Sequence, residues 1–103
     1  MYDRWTRMRN LLKSQGFRSS DPLYDDFRVR FELISNLFNE LRGTKINFID
    51  YNFVARQILS GLGDDQFVDR FPQHALSDQE MNIWHNILER LDSSVEASDD
   101  GSA

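Results

Sequence analysis

The sequence contains no cysteine, and it has only two prolines and two histidines among 103 residues. The lack of cysteine excludes disulfide bonds, thiolate zinc sites and cysteine nucleophiles together. No apolar run approaches the roughly 18 residues that a membrane-spanning helix needs. The charges within residues 1–20 also leave no room for the apolar stretch of a secretory signal. We therefore expect a soluble intracellular protein with no membrane contact.

The residues that could support catalysis or metal binding are also too few or too scattered. His74 and His85 are eleven positions apart and have no third ligand at short spacing, unlike a metal site. No serine lies in a nucleophile motif, and the segment Gly61–Gly63 is too short for a nucleotide-binding loop. Pairs of adjacent acidic residues fit helix starts better than acid–base catalysis. We expect no enzyme activity, no cofactor and no metal.

What the sequence does contain is a globular composition that is rich in aromatic residues. Hydrophobic residues make up 40% of the chain, charged residues 28% and aromatic residues 13%. Because aromatic side chains bury the most area each, we expect a firm core in one domain, residues 1–92. Residues 93–103 are mainly Ser, Asp, Glu, Ala and Gly, with Val95 as the sizeable apolar side chain. This composition predicts a disordered acidic tail.

The spacing of apolar residues predicts an all-α fold, a compact bundle of four to five helices. The clearest pattern follows Asp21 and Pro22, a cap and a first helical residue, and it extends to residue 42. Its apolar residues recur at three- and four-residue spacings: Tyr24, Phe27, Phe31, Ile34, Phe38 and Leu41. A second apolar strip, Val29, Leu33 and Leu37, lies beside them. This wide face predicts a central helix that more than one neighbour covers.

Shorter patterns predict the other helices. One spans about residues 2–15, another begins at Asn47 or Asp50, and a short one follows the pair Asp64-Asp65. The spacing of serine and glutamate in Ser77–Glu80 is that of a capping box, which predicts the start of the last helix.

Ile46, Phe48 and Ile49 precede the third predicted helix. They could form a short extended stretch, but their poor alternation argues against a strand. We favour a loop that packs these apolar side chains into the core.

Charge is distributed unevenly, with a net charge of +4 over residues 1–20 and −6 over residues 77–103. The cations at the start of the chain are Arg4, Arg7, Arg9, Lys13 and Arg18. One interpretation is that they contact a nucleic-acid phosphate backbone. However, they flank an apolar stripe, and the isoelectric point is about 4.8. Contact with a protein partner through a helix face or groove is therefore favoured over direct nucleic-acid contact.

An ordered set of short motifs runs through the second half of the chain. Its members are Asn47-Phe48, Tyr51, Leu62-Gly63, Phe71-Pro72, Ile83-Trp84 and Ile87. In order and spacing, this set resembles the C-terminal half of the poxvirus-type viral late transcription factor 3 family. The resemblance covers about residues 46–91. Leu88 stands where the family has a cysteine, and the family's cysteine-rich zinc-binding N-terminal part has no counterpart here.

The resemblance implies a non-enzymatic module of a large DNA virus, one that supports late transcription by contact with the transcription machinery. It also implies a location inside the infected host cell, in a cytoplasmic viral factory or in the nucleus. An alternative stays open, in which the chain is a structural or virion-assembly adaptor and its partners are virion subunits. The oligomeric state also stays open at this point.

Overall fold

A computed structural model of the chain describes residues 3–102, with side chains described from Asp3 to Asp92. Within this part the chain forms five helices and no strand. They are α1 (Arg4–Ser14), α2 (Tyr24–Leu41), α3 (Tyr51–Gly61), α4 (Asp65–Val68) and α5 (Asp78–Ser102). Because α2 packs against α1, α3 and α5, the predicted all-α bundle with a central second helix is confirmed.

The bounds of α5 extend beyond Asp92, where the sequence analysis placed the end of the helical domain. The predicted disordered acidic tail, residues 93–103, falls outside the part of the chain whose side chains are described. It stays a prediction.

Two of the predicted helix starts have the expected caps. The Asp50 carboxylate accepts a hydrogen bond from the Phe53 backbone N–H at 3.0 Å, so Asp50 is the N-cap of α3. At the start of α5, the Glu80 N–H donates to Ser77 Oγ at 3.2 Å, and the Ser77 N–H donates back to Glu80 Oε1 at 3.1 Å. The predicted capping box is therefore confirmed, and both caps satisfy N–H groups that lack partners within the helix.

The predicted start of α2 at Pro22 is wrong. The Asp21 carboxylate accepts from the Arg18 backbone N–H at 2.7 Å, so it closes the preceding turn instead of capping the helix. The helix begins at Tyr24, after Leu23, which has no side-chain cap. A local Asx-type hydrogen bond has thus competed with the capping role of the same side chain.

The core is built mainly from the aromatic stripe of α2. Its large buried side chains come from every helix but α4, and from the loops: Met8, Leu12, Phe17, Phe27, Phe31, Phe38, Ile49, Leu59, Phe71 and Ile87. The Trp5 ring of α1 packs on Tyr24, Phe27 and Phe31 at centroid distances of 5.7, 6.4 and 5.9 Å. One of these pairs is edge-on and the other two are tilted, and together they fix the position of α1 on α2.

The second apolar strip of α2 is not covered as predicted. Val29 is 66% exposed and Leu33 is 42% exposed, whereas Leu37 is partly buried against the core. The neighbouring helices pack on the phenylalanine stripe and leave this flank open. Ile46 also differs from expectation because it is 83% exposed, although Ile49 is buried and Phe48 packs against the core.

Candidate protein-binding surfaces

Most of the residues that carry the family resemblance lie inside the fold. Phe71, Ile83, Trp84 and Ile87 are buried, and Phe48, Tyr51 and Leu62 pack against the core, whereas Asn47, Gly63 and Pro72 are exposed. The motif set therefore acts first as a packing pattern.

The Leu62-Gly63 motif ends α3. Gly63 has a φ of 82°, and the N–H of Asp64 reaches back to the carbonyl of Leu59 at 2.9 Å. This is a common way for a helix to end, in which a glycine with left-handed backbone conformation lets the chain leave the helix axis. The glycine is thus required by the backbone, which explains its place in the motif.

The Phe71-Pro72 motif is held by an arginine that the sequence analysis did not single out. Arg56 Nη1 donates to the carbonyl of Val68 at 2.8 Å and to the carbonyl of Phe71 at 2.9 Å. The side chain satisfies two carbonyls in the turn after α4, where no helix or strand supplies donors. Arg56 is a single cation within the predicted third helix, and no sequence pattern around it indicates this role.

Arg4 is built into the fold. Its Nη1 donates to the Ser35 carbonyl at 3.2 Å, to Ser35 Oγ at 2.9 Å and to Asn39 Oδ1 at 2.8 Å. Its Cζ atom also lies 4.9 Å from the ring centroids of both Phe38 and Phe48. Burial lowers the pKa of Arg4 from its ordinary value, although an arginine stays charged at neutral pH.

The five N-terminal cations do not form one surface. Arg7 is exposed, and its Cζ lies 5.0 Å from the Tyr51 ring centroid, on the same side of α1 as Arg4. Arg9, Lys13 and Arg18 are exposed elsewhere and do not line the same cleft. The structure thus joins Arg4 and Arg7 to the motif residues Phe48 and Tyr51.

These residues enclose a cleft of about 740 Å³ between α1 and the segment 46–52, which we call the α1–α3 cleft. Its walls include Arg4, Arg7, Leu11, Ile46, Phe48 and Tyr51. Burial raises the pKa of Tyr51, and Arg7 and Arg4 offset this effect only in part, so the phenol is neutral at physiological pH.

Asp50 is the acidic residue that lines this cleft, and it already has partners within the fold. Besides capping α3, it lies 2.8 Å from His74 Nδ1, which ties the loop before α5 to the start of α3. Burial acts to raise the pKa of Asp50, but the hydrogen bonds from His74 and from the Phe53 N–H outweigh it and hold the pKa below its ordinary value.

A second concave surface lies between α2, α3 and α5, and we call it the α2–α5 groove. It has a volume of about 440 Å³ and mostly apolar walls: Leu33, Ile34, Ile58, Trp84, Leu88 and Leu91. Leu33 and Leu88 are 42% and 39% exposed. Val29, one turn before Leu33 on α2, extends the apolar surface beyond the groove. The second strip of α2 gave the sequence signal for this surface, but it was interpreted as core.

Trp84 gives the groove a rigid floor. The ring is 5% exposed and packs edge-on against Phe53 of α3 at a centroid distance of 5.3 Å. Because the ring is already held in one position, the floor of the groove loses little conformational entropy when a partner binds.

The described residues contain no cluster of three His, Asp or Glu side chains that could hold a metal ion. His85 is exposed on α5, far along the chain from the His74–Asp50 pair. In the described part of the chain, no helix combines the length and the apolar composition required to cross a bilayer.

Comparison with known protein families, with curated proteins and with solved structures gives no match.

Proposed function

We propose that this chain is a non-enzymatic helical module that binds a helical segment of a protein partner in the α2–α5 groove. The observation that carries the proposal is the pair of leucines, Leu33 and Leu88, left partly exposed in the same groove as the buried Trp84 ring. Exposed aliphatic side chains around a rigid concave floor are typical of a surface that another protein covers.

The shape and composition of the groove favour an amphipathic helix as the occupant. The lining comes from three helices, α2, α3 and α5, and α2 packs against both α3 and α5. Leu33 of α2 and Leu88 and Leu91 of α5 present apolar side chains to the groove. The i, i+3 or i+4, i+7 anchors of an amphipathic helix are a suitable apolar counterpart. The rim carries Arg30 and Asp92, so a partner helix with charges of both signs flanking its apolar face fits best.

The biological setting of this contact follows from the family resemblance of the motif set. We propose that the partner belongs to the late transcription machinery of a large DNA virus, and that the chain acts inside the infected cell. The alternative, an adaptor between virion subunits, would use the same groove. The identity of the protein that occupies the groove distinguishes the two roles.

The test is site-specific photo-crosslinking of the tagged chain in infected cells. A photoreactive residue replaces Leu33 in the groove or, as a control, the exposed Ser19 in the loop before α2. We expect the Leu33 probe to capture a subunit of the viral transcription machinery that the Ser19 probe does not capture. Adding Leu88→Ser to the Leu33 probe should abolish this crosslink.

Each of the other outcomes has a defined meaning. Capture of a capsid or core subunit from the groove would replace the transcription role with the adaptor role. Capture of the same proteins from both positions, or of none from Leu33, would contradict the groove as the binding surface.

A further inference from the structure

The α1–α3 cleft lies apart from the α2–α5 groove and has a different chemistry. We infer that this cleft binds an acidic peptide segment that carries a large apolar side chain. The inference does not rest on the proposed function, because it concerns other residues and its test reports on them alone.

The positive charge of the cleft is fixed in place. The guanidinium of Arg7 lies on the Tyr51 ring, and that of Arg4 lies on the rings of Phe38 and Phe48. Stacking holds a guanidinium in one plane and leaves its edge free to form paired hydrogen bonds with a carboxylate. The described hydrogen bonds of Arg4 all start at Nη1, and a guanidinium carries further N–H donors.

The two acidic residues near these cations have other partners, and Asp3 accepts a hydrogen bond from the Thr6 N–H as the N-cap of α1. Asp50 lines the cleft, but its carboxylate accepts from the Phe53 N–H and lies against His74. None of the ion pairs in the described part of the chain involves Arg4 or Arg7. An incoming carboxylate would therefore meet two cations in a partly desolvated site, where charge-assisted hydrogen bonds are strongest.

The apolar walls indicate that the ligand is more than a simple anion. Ile46 is 83% exposed at the edge of the cleft, and Leu11 of α1 is a further apolar side chain of the lining. Ile46 is the most exposed of the large apolar side chains described. An apolar residue of the ligand, next to its acidic residue, would cover Ile46.

A peptide fits these observations better than a nucleic acid does. A phosphate backbone needs cations spaced along a track, but Arg9, Lys13 and Arg18 do not line the cleft. The chain also carries a net charge of −5, which opposes a polyanion at long range more than it opposes a short peptide.

The test measures binding of the purified full chain to a short fluorescent peptide that alternates glutamate with leucine and phenylalanine. Fluorescence anisotropy gives the Kd for wild type, Arg7→Gln and Arg9→Gln. Both variants remove one exposed cation of α1, so their net charges are identical. We expect Arg7→Gln to weaken binding about tenfold and Arg9→Gln less than about twofold.

Two further arms test the apolar part and the class of ligand. Ile46→Ser changes an exposed side chain, so the fold should persist, and it should weaken binding at least about threefold. A peptide with serine in place of leucine and phenylalanine should bind more weakly than the full probe. A single-stranded oligonucleotide should not compete at equal concentration.

Several results would overturn the inference. They are absence of probe binding, equal losses for Arg7→Gln and Arg9→Gln, no effect of Ile46→Ser, or preferential binding of the oligonucleotide. The last result, if it depended on Arg7, would assign the cleft to nucleic acid instead.

Discussion

The α1–α3 cleft and the α2–α5 groove differ in how their side chains are held. In the cleft, the Arg4 and Arg7 guanidinium groups lie on aromatic rings of the same chain, and Asp50 is hydrogen-bonded to its own helix. In the groove, Leu33 and Leu88 keep 42% and 39% of their surface exposed to solvent. The cleft residues are thus held by contacts within the fold, whereas the groove leucines are only partly covered by it.

This difference has a general lesson for surface cations. Five cations close together in the sequence suggest one electrostatic surface, but here two of them are bound into an aromatic cleft and three are not. An arginine near aromatic residues can stabilise the fold first and bind a ligand second. Mutating all five together would mix both effects.

The largest expected effect compares two apolar residues of α2. Phe38 lies under the cleft and is 0% exposed, whereas Leu33 is 42% exposed at the groove. Phe38→Ala should lower the free energy of unfolding by about 3–5 kcal/mol because it leaves a cavity. Leu33→Ala should cost about 1 kcal/mol or less. Urea denaturation followed by circular dichroism measures both, and equal losses would remove the distinction between the two surfaces.

A smaller difference in the free energy of unfolding is expected between variants of Arg4, which is bonded within the fold, and of Arg9, which is exposed. Arg4→Gln should destabilise the chain by about 1–3 kcal/mol, since it removes the bonds to Ser35 and Asn39 and two ring contacts. Arg9→Gln, with the same change in charge, should stay within about 0.5 kcal/mol of wild type. Thermal or urea unfolding at constant salt provides the comparison. Similar values for the two variants would mean that the Arg4 contacts contribute little.

The smallest expected effect concerns the acid in the cleft. Asp50→Ala should cost about 1 kcal/mol through loss of the α3 N-cap. Because the pKa of Asp50 is lower in the folded than in the unfolded chain, its ionisation stabilises the fold above the ordinary value of 3.8. That contribution is lost as the pH falls through the folded pKa.

Unfolding measured between pH 7 and pH 3 tests this pH dependence. Asp50→Asn keeps a capping side chain but cannot ionise, so its stability should depend less on pH than that of wild type. Identical pH profiles for the two proteins would show that ionisation of Asp50 does not contribute to the free energy of unfolding.

Much of the fold could be predicted from local patterns. The capping box at Ser77–Glu80, the cap at Asp50 and the aromatic stripe of α2 depend on residues a few positions apart, and each was confirmed. The start of α2 was wrong because Asp21 had two local hydrogen-bonding options, and spacing does not choose between them.

The amino-acid sequence by itself determined the class of fold, the central helix and most of the core, because periodicity along a helix decides which side chains can share a face. Only the tertiary structure decided which apolar residues stay uncovered and which cations become structural. Phe31 and Leu33 belong to neighbouring apolar strips of α2. Whether another helix covers either side chain depends on how α1, α3 and α5 pack against α2. Arg4 and Arg9 both flank the apolar stripe of the same helix, and the long-range approach of Ser35 and Phe48 makes Arg4 structural.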